Sequence, residues 1–233
     1  MSHQTQKTIH NLIILDESGS MESIKKETIS GFNELIQTVQ ASQQEFPDQQ
    51  HFITLVTFNG MGIRSLIVRQ PVASLQPLDN TRYRPQSMTP LYDAMGFSCT
   101  ELEQAIRDQP DTWCLVTVLT DGMENASREY AGTAIRDLVD RLGKGNWTFS
   151  YIGANHDVAR MAADLSIANH MQWRSDEKGA REMWARERHS RAAFSYKMSM
   201  NYDPEDLKRQ YFNENQKPGD LPAQDDNEDP ILP

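Results

Sequence analysis

Two cysteines are all that the 233 residues offer, and a chain of this length is not stapled by at most one disulfide. Cys99 falls in a helix-like stretch and Cys114 in a strand-like one, so two buried free thiols in a reducing compartment are expected. Long apolar runs are missing as well. No stretch approaches the roughly 20 residues that span a bilayer, and Met1 to Lys7 is polar, without the apolar centre of a secretory signal. The expected setting is cytoplasmic, with no membrane partner. Basic residues are outnumbered, 23 Lys and Arg against 33 Asp and Glu, for a net charge of −10. Phosphate backbones repel such a chain, so no nucleic-acid partner is expected.

Several catalytic signatures are absent too. There is no Gly-x-Ser-x-Gly, no Gly-x-x-x-x-Gly-Lys and no Gly-x-Gly-x-x-Gly, which removes support for lipase-like, P-loop and dinucleotide chemistry. His3, His10, His51, His156, His170 and His189 show no metal-ligand spacing and read as surface or packing residues. His156 is the exception to follow, because Asn155-His156-Asp157 comes directly after a strand-like run.

What is present describes one globular domain with an extension: 38% hydrophobic and 24% charged residues. Five runs rich in β-branched and aromatic residues read as strands, at Ile9 to Leu15, Phe52 to Phe58, Ile63 to Val68, Trp113 to Leu119 and Trp147 to Ile152. Several are apolar on both faces, as buried parallel strands are. Between them run three helical stripes, one through Ile24, Phe32, Leu35, Ile36 and Val39, a second through Leu91, Met95, Leu102 and Ile106, and a third through Ile135, Leu138, Val139 and Leu142. The alternation predicts a three-layer α/β domain with a mostly parallel central sheet and helices on both faces. Asn59-Gly60-Met61-Gly62 is a hairpin signal that makes one edge strand antiparallel. A short helix over Val158 to Leu165, a last strand over Ala168 to Trp173 and a mixed-charge helix from Glu177 to about Tyr196 complete a domain over residues 8–200. Residues 201–233 read as an acidic, mobile tail, since from Asp203 onward nine acidic residues face three basic ones.

Ligands of open parallel sheets bind beyond the carboxyl ends of the strands, and three polar clusters fall there. Asp16-Glu17-Ser18-Gly19-Ser20 follows the first strand, Thr89-Pro90 opens the helix containing Leu91, and Asp121-Gly122 follows the strand ending at Leu119. Each has an ordinary explanation: Ser20 as a helix cap, Thr89 as a cap with proline at the first helical position, Asp121-Gly122 as a turn.

Together, Asp16, Ser18, Ser20, Thr89 and Asp121 resemble the metal-ion-dependent adhesion site (MIDAS) of von Willebrand factor A (vWA) domains, in the same order and at the same places in the strand and helix sequence. The likeness covers roughly residues 8–175, and Leu15 to Glu22 with Leu119 to Ser127 look most like the intracellular bacterial and phage branch. It implies a Rossmann-like vWA fold in which Ser18 and Ser20 bind a metal directly, Thr89 joins in the ligand-bound state, and Asp16 and Asp121 act partly through water. Carboxylate, hydroxyl and water oxygens suit Mg²⁺ or Mn²⁺. The family then implies a partner protein whose Asp or Glu completes the metal shell, with an AAA+ ATPase or a stress-response component as plausible partners. The implied role is metal-dependent protein binding without catalysis. Two other readings stand beside it, a metal-dependent phosphohydrolase using Asp16 and an RNA-associated protein, the second opposed by the charge.

Among the neighbours, Glu17 sits at a variable motif position and is expected to face solvent. Asp93 is expected to offset a helix dipole or bond a loop, Glu124 to cap or support the next helix, and Asn125 to support that helix or shape the rim. Met21 and Met88 border the motif as packing or contact residues. The acidic run Asp225-Asp226-Asn227-Glu228-Asp229 offers carboxylates of the kind such a site seeks, though its simpler role is to aid solubility.

Overall fold

The computed structural model describes residues 6–212. Six strands, β1 (Lys7–Asp16), β2 (Gln49–Asn59), β3 (Gly62–Pro71), β4 (Thr112–Thr120), β5 (Trp147–Gly153) and β6 (Asn169–Gln172), form one sheet in the order β3-β2-β1-β4-β5-β6. All neighbours are parallel except β2 and β3, which the Asn59–Gly62 turn joins as an antiparallel hairpin. The chain extends the sheet from β1 to one side, then crosses to β4 on the other. The topological switch point therefore lies between β1 and β4, where α/β sheets open their binding crevice.

Helices cover both faces: α1 (Lys25–Glu45), α2 (Leu91–Ile106), α3 (Gly132–Gly143), α4 (Val158–Asp164), α5 (Glu177–Ser199) and α6 (Pro204–Arg209). One core layer joins Leu12, Ile14, Val116 and Val118 of the sheet to Met95, Leu102, Ile135 and Val139 of α2 and α3. The other joins Ile13, Leu15, Ile53 and Leu55 to Phe32, Leu35, Met183 and Trp184 of α1 and α5. The alternate residues of β1 thus serve both layers, which is why the strand is apolar throughout. Cys99 and Cys114 are free and buried in the first layer. No helix among the described residues is long and apolar enough to cross a membrane.

The mixed-charge helix expected from Glu177 is present and runs to Ser199; it also turns charges inward, since α5 buries Glu187 and Arg191 as a 2.6 Å ion pair. Arg191 also donates to Asn11 at 2.7 Å and to Thr117 at 2.6 Å, so two sheet strands hold both of its terminal nitrogens. The acidic segment read as a tail does not start at residue 201: α6 follows, Leu207 and Tyr211 are buried, and Tyr211 donates to Glu187 at 2.9 Å. Few apolar side chains in a charged stretch suffice because each meets a prepared surface. Residues 213–233, with the acidic run 225–229, lie outside the described residues.

Candidate metal centre

β1 delivers Asp16 to the switch point fully buried, and its two carboxylate oxygens are held separately. Oδ1 accepts the backbone N–H of Ser18 at 2.7 Å, and Oδ2 accepts the Thr120 hydroxyl at 2.6 Å from the end of β4. Burial pushes the Asp16 carboxyl up to about 6, against the hydrogen bonds from Thr120 and Ser18 and with the charge of Asp121 adding to the rise. The main chain then tightens into a 3-10 turn over Gly19–Ile24. Ser18 caps that turn with backbone only, Ser20 lies inside it, and Pro90 rather than Thr89 occupies the cap position of α2. None of the three hydroxyls is spent on a helix end.

They turn toward the switch point instead. Ser20 donates to Asp121 Oδ1 at 2.5 Å, and the Ser18 and Ser20 hydroxyls are 3.2 Å apart. Thr89 is buried, its N–H donating to Asn125 Oδ1 at 2.9 Å, while the N–H of Asn125 returns to its carbonyl at 3.2 Å. A Cβ on Gly122 would sit 3.6 Å from Thr89 Oγ1, so the residue after Asp121 lies against the threonine hydroxyl. All five residues of the motif are thereby gathered at one sheet edge.

The field there is negative. The phenol of Tyr83, whose hydroxyl donates to the Asp16 carbonyl at 2.7 Å, is pushed well above its usual range by burial and then by Asp16, Glu17, Asp121 and Glu22. Among the described residues no three His, Cys, Asp or Glu side chains converge to hold a metal. The donors are two carboxylates and three hydroxyls, a hard oxygen set that fits Mg²⁺ or Mn²⁺ better than zinc.

Glu17 corrects the expectation of a solvent-facing side chain. It is fully buried: both oxygens lie 2.6 Å from Arg64 Nη2 on β3, and one accepts the backbone N–H of Arg84. Its own carbonyl accepts from Gln86, while Gly19 donates to Ser87 at 3.1 Å. The loop leading to Thr89 is thus tied to the first motif loop. Met21 is packing, and Met88 is exposed. Asp93 bonds a loop as expected, accepting from the N–H groups of Arg128, Glu129 and Tyr130. His156 engages Tyr151 at 2.9 Å and the Ala154 carbonyl at 2.6 Å.

Two contributors escaped the sequence reading. Asn155 donates to the Asp121 carbonyl at 3.0 Å, and Ser175 donates to Asp121 Oδ2 at 3.2 Å. Asn155 has φ of 61°, in the left-handed region that asparagine tolerates. Its residue type and its place directly after a strand were the available signal, and Ser175 offered none.

No protein-family model matches the chain, and no curated protein matches it. Solved structures do resemble it. The SpRpn10 VWA domain shares 10% identity at a TM-score of 0.52, over 75% of this chain and 92% of that one. The pilus adhesin SpaC from Lactobacillus rhamnosus GG, in an open conformation, shares 12% identity at 0.55, over 82% of this chain and 30% of that one. Proximal thread matrix protein 1 from the mussel byssus shares 12% at 0.51, over 77% and 44% respectively. This chain spans less than half the length of the latter two. With its switch point between β1 and β4 and its single antiparallel edge strand, the chain has the α/β fold of a VWA domain.

Proposed function

We propose that this domain is a protein-binding module whose grip depends on Mg²⁺ or Mn²⁺, held by Ser18, Ser20 and Thr89 with Asp16 and Asp121 behind them. The bound ion supplies a coordination position that takes a carboxylate from a partner protein. The fold is compatible with protein interaction, and the metal dependence rests on one observation: Ser18, Ser20 and Thr89 leave both helix ends uncapped by side chains and face Asp121 and the switch point. Asp16 and Asp121 provide the negative field, and Glu17 with Arg64 fixes the loop that presents the serines.

The alternative of a phosphohydrolase with Asp16 as nucleophile has less support. Both carboxylate oxygens are engaged and the residue is fully buried, which leaves no approach for a phosphate ester. We place the module in the cytoplasm, without a catalytic step.

The test is thermal unfolding of EDTA-stripped protein against Mg²⁺, Mn²⁺ and Ca²⁺, beside Ser18→Ala/Ser20→Ala. An ion that binds only the folded chain raises its stability by RT ln(1 + [L]/Kd). A rise with Mg²⁺ or Mn²⁺ that the double variant loses supports the reading; a rise of equal size in the variant refutes it.

A further inference from the structure

Three methionines stand out on the same end of the domain. Met61, Met88 and Met123 are 78%, 52% and 58% exposed, while most other large apolar side chains among the described residues are covered. Met61 tips the β2–β3 turn, Met88 precedes Thr89, and Met123 lies two residues after Asp121. The loops meet: a Cβ on Gly60 would lie 3.0 Å from the Met88 nitrogen and 3.2 Å from its Cβ, and Gly122 packs against Thr89. The hairpin tip is fixed by the Met61 N–H donating to Asn59 Oδ1 at 2.9 Å. The candidate metal centre therefore sits inside a soft apolar rim. Such a rim takes aliphatic side chains of varied shape.

We infer that the occupant of this face is the chain's own C-terminal segment, residues 225–232, with a carboxylate at the metal position and Ile231 and Leu232 against the methionines. The inference rests on the metal reading above. Chemistry matches first: Asp225-Asp226-Asn227-Glu228-Asp229-Pro230-Ile231-Leu232 joins carboxylates to adjacent aliphatics, and the face joins a cation site to methionines.

Reach follows. The described chain leaves at Phe212, whose ring lies 5.8 Å below the Arg186 guanidinium. Arg186 is nine residues past the start of α5, about 14 Å along the helix. Ser175, two residues ahead of that start, donates to Asp121. Asp225 lies thirteen positions beyond Phe212, a span that extends to about 43 Å. A groove between β6 and α5, bordered by Gln172, Arg174, Glu182 and Arg186, leads along this path. Its two arginines suit a segment in which residues 213–233 hold six acidic side chains and one lysine. The segment would hold the site until a partner's carboxylate displaces it.

The experiment uses the full chain labelled at its methionine methyl groups, with Met61→Leu, Met88→Leu and Met123→Leu to assign the signals. It is compared with a neutralised chain, Asp225→Asn/Asp226→Asn/Glu228→Gln/Asp229→Asn, and with Ile231→Ser/Leu232→Ser. In Mg²⁺ the three methyl signals should differ between the unaltered chain and both variants, independently of protein concentration, and coincide in EDTA. A synthetic peptide of residues 221–233 should bind the neutralised chain at least about tenfold more tightly than the unaltered one, because a tethered segment competes at an effective concentration of roughly millimolar.

Unchanged methyl signals with an intact Mg²⁺-dependent rise in melting temperature would overturn the inference and leave the metal reading standing. Differences that grow with protein concentration would overturn it in favour of a second copy of the chain. Absence of any Mg²⁺ response would refute both.

Discussion

Glu17 and Arg64, 47 positions apart in sequence, form the joint between the first motif loop and the edge strand, with both carboxylate oxygens 2.6 Å from one guanidinium nitrogen. The glutamate side chain is 1% exposed and the arginine 45%. The pair is asymmetric: removing the arginine strands a buried charge, whereas neutralising the glutamate leaves an arginine that water can solvate. Arg64→Ala should therefore destabilise the fold by about 2–3 kcal/mol, less than the roughly 3–5 kcal/mol of a fully buried pair because Arg64 is half-exposed. Glu17→Gln should cost less, and chemical denaturation of the two variants gives the comparison.

Asp16 provides a second prediction. In the metal-free fold its carboxyl titrates near 6 rather than near its ordinary value of 3.8, so the folded chain binds the proton more tightly than the unfolded one. The stability gained from that proton is complete at low pH and is lost as pH rises from about 4 to about 6. Asp16→Asn should raise the melting temperature of EDTA-treated protein at neutral pH, by on the order of 1–2 kcal/mol in stability. Thr120 can rotate to accept the new amide, since its hydroxyl already lies 3.1 Å from the Gly122 carbonyl. The same variant should lose the response to Mg²⁺. In the unaltered chain, metal affinity should weaken as pH falls through about 6, because the proton and the ion compete.

His51 titrates in the opposite sense. Burial, with the Arg191 charge behind it, pushes its imidazole down to about 3, so the folded chain keeps it neutral where the unfolded chain protonates it. Stability should fall with acidification from about pH 6.5 toward 3. His51→Gln should flatten that slope in an acid-unfolding series.

The pair inside α5 calls for a double-mutant cycle. Arg191→Met leaves Glu187 buried opposite Thr117 and Tyr211 and should cost about 3–5 kcal/mol. Adding Glu187→Leu should recover part of that loss, since two apolar residues then fill the space without a stranded charge. Additive costs in denaturant unfolding would contradict the coupling.

The sheet was legible because β1, β4 and β5 are apolar on both faces, a pattern few other structures produce, and the hairpin because Asn59 to Gly62 announces it. The five motif residues were legible through their resemblance to the family's motif, since each cluster alone reads as a cap or a turn, and the fold brings them to one end of the sheet. What escaped depends on distant partners. Nothing around Glu17 shows that Arg64 and the Arg84 N–H will close over it, and nothing around Glu187 shows that Thr117 and Tyr211 await it. The charged stretch after residue 200 concealed Leu207 and Tyr211 for the same reason: composition averages over a segment, whereas two side chains fitting a prepared surface decide its fate.

Ser175 gives α5 a significance beyond packing. The serine donates to Asp121 at 3.2 Å two residues before the helix begins, and at the far end the Met198 carbonyl takes the Lys7 ammonium at 2.9 Å. The 23-residue helix, about 34 Å long, is a strut pinned at one end to the binding edge and at the other to the base of the first strand. Its buried ion pair gives it one seat on the sheet. Asp121 and the lead-in to α5 are therefore one joined unit, and a substitution at Ser175 acts on the binding edge as well as on the helix.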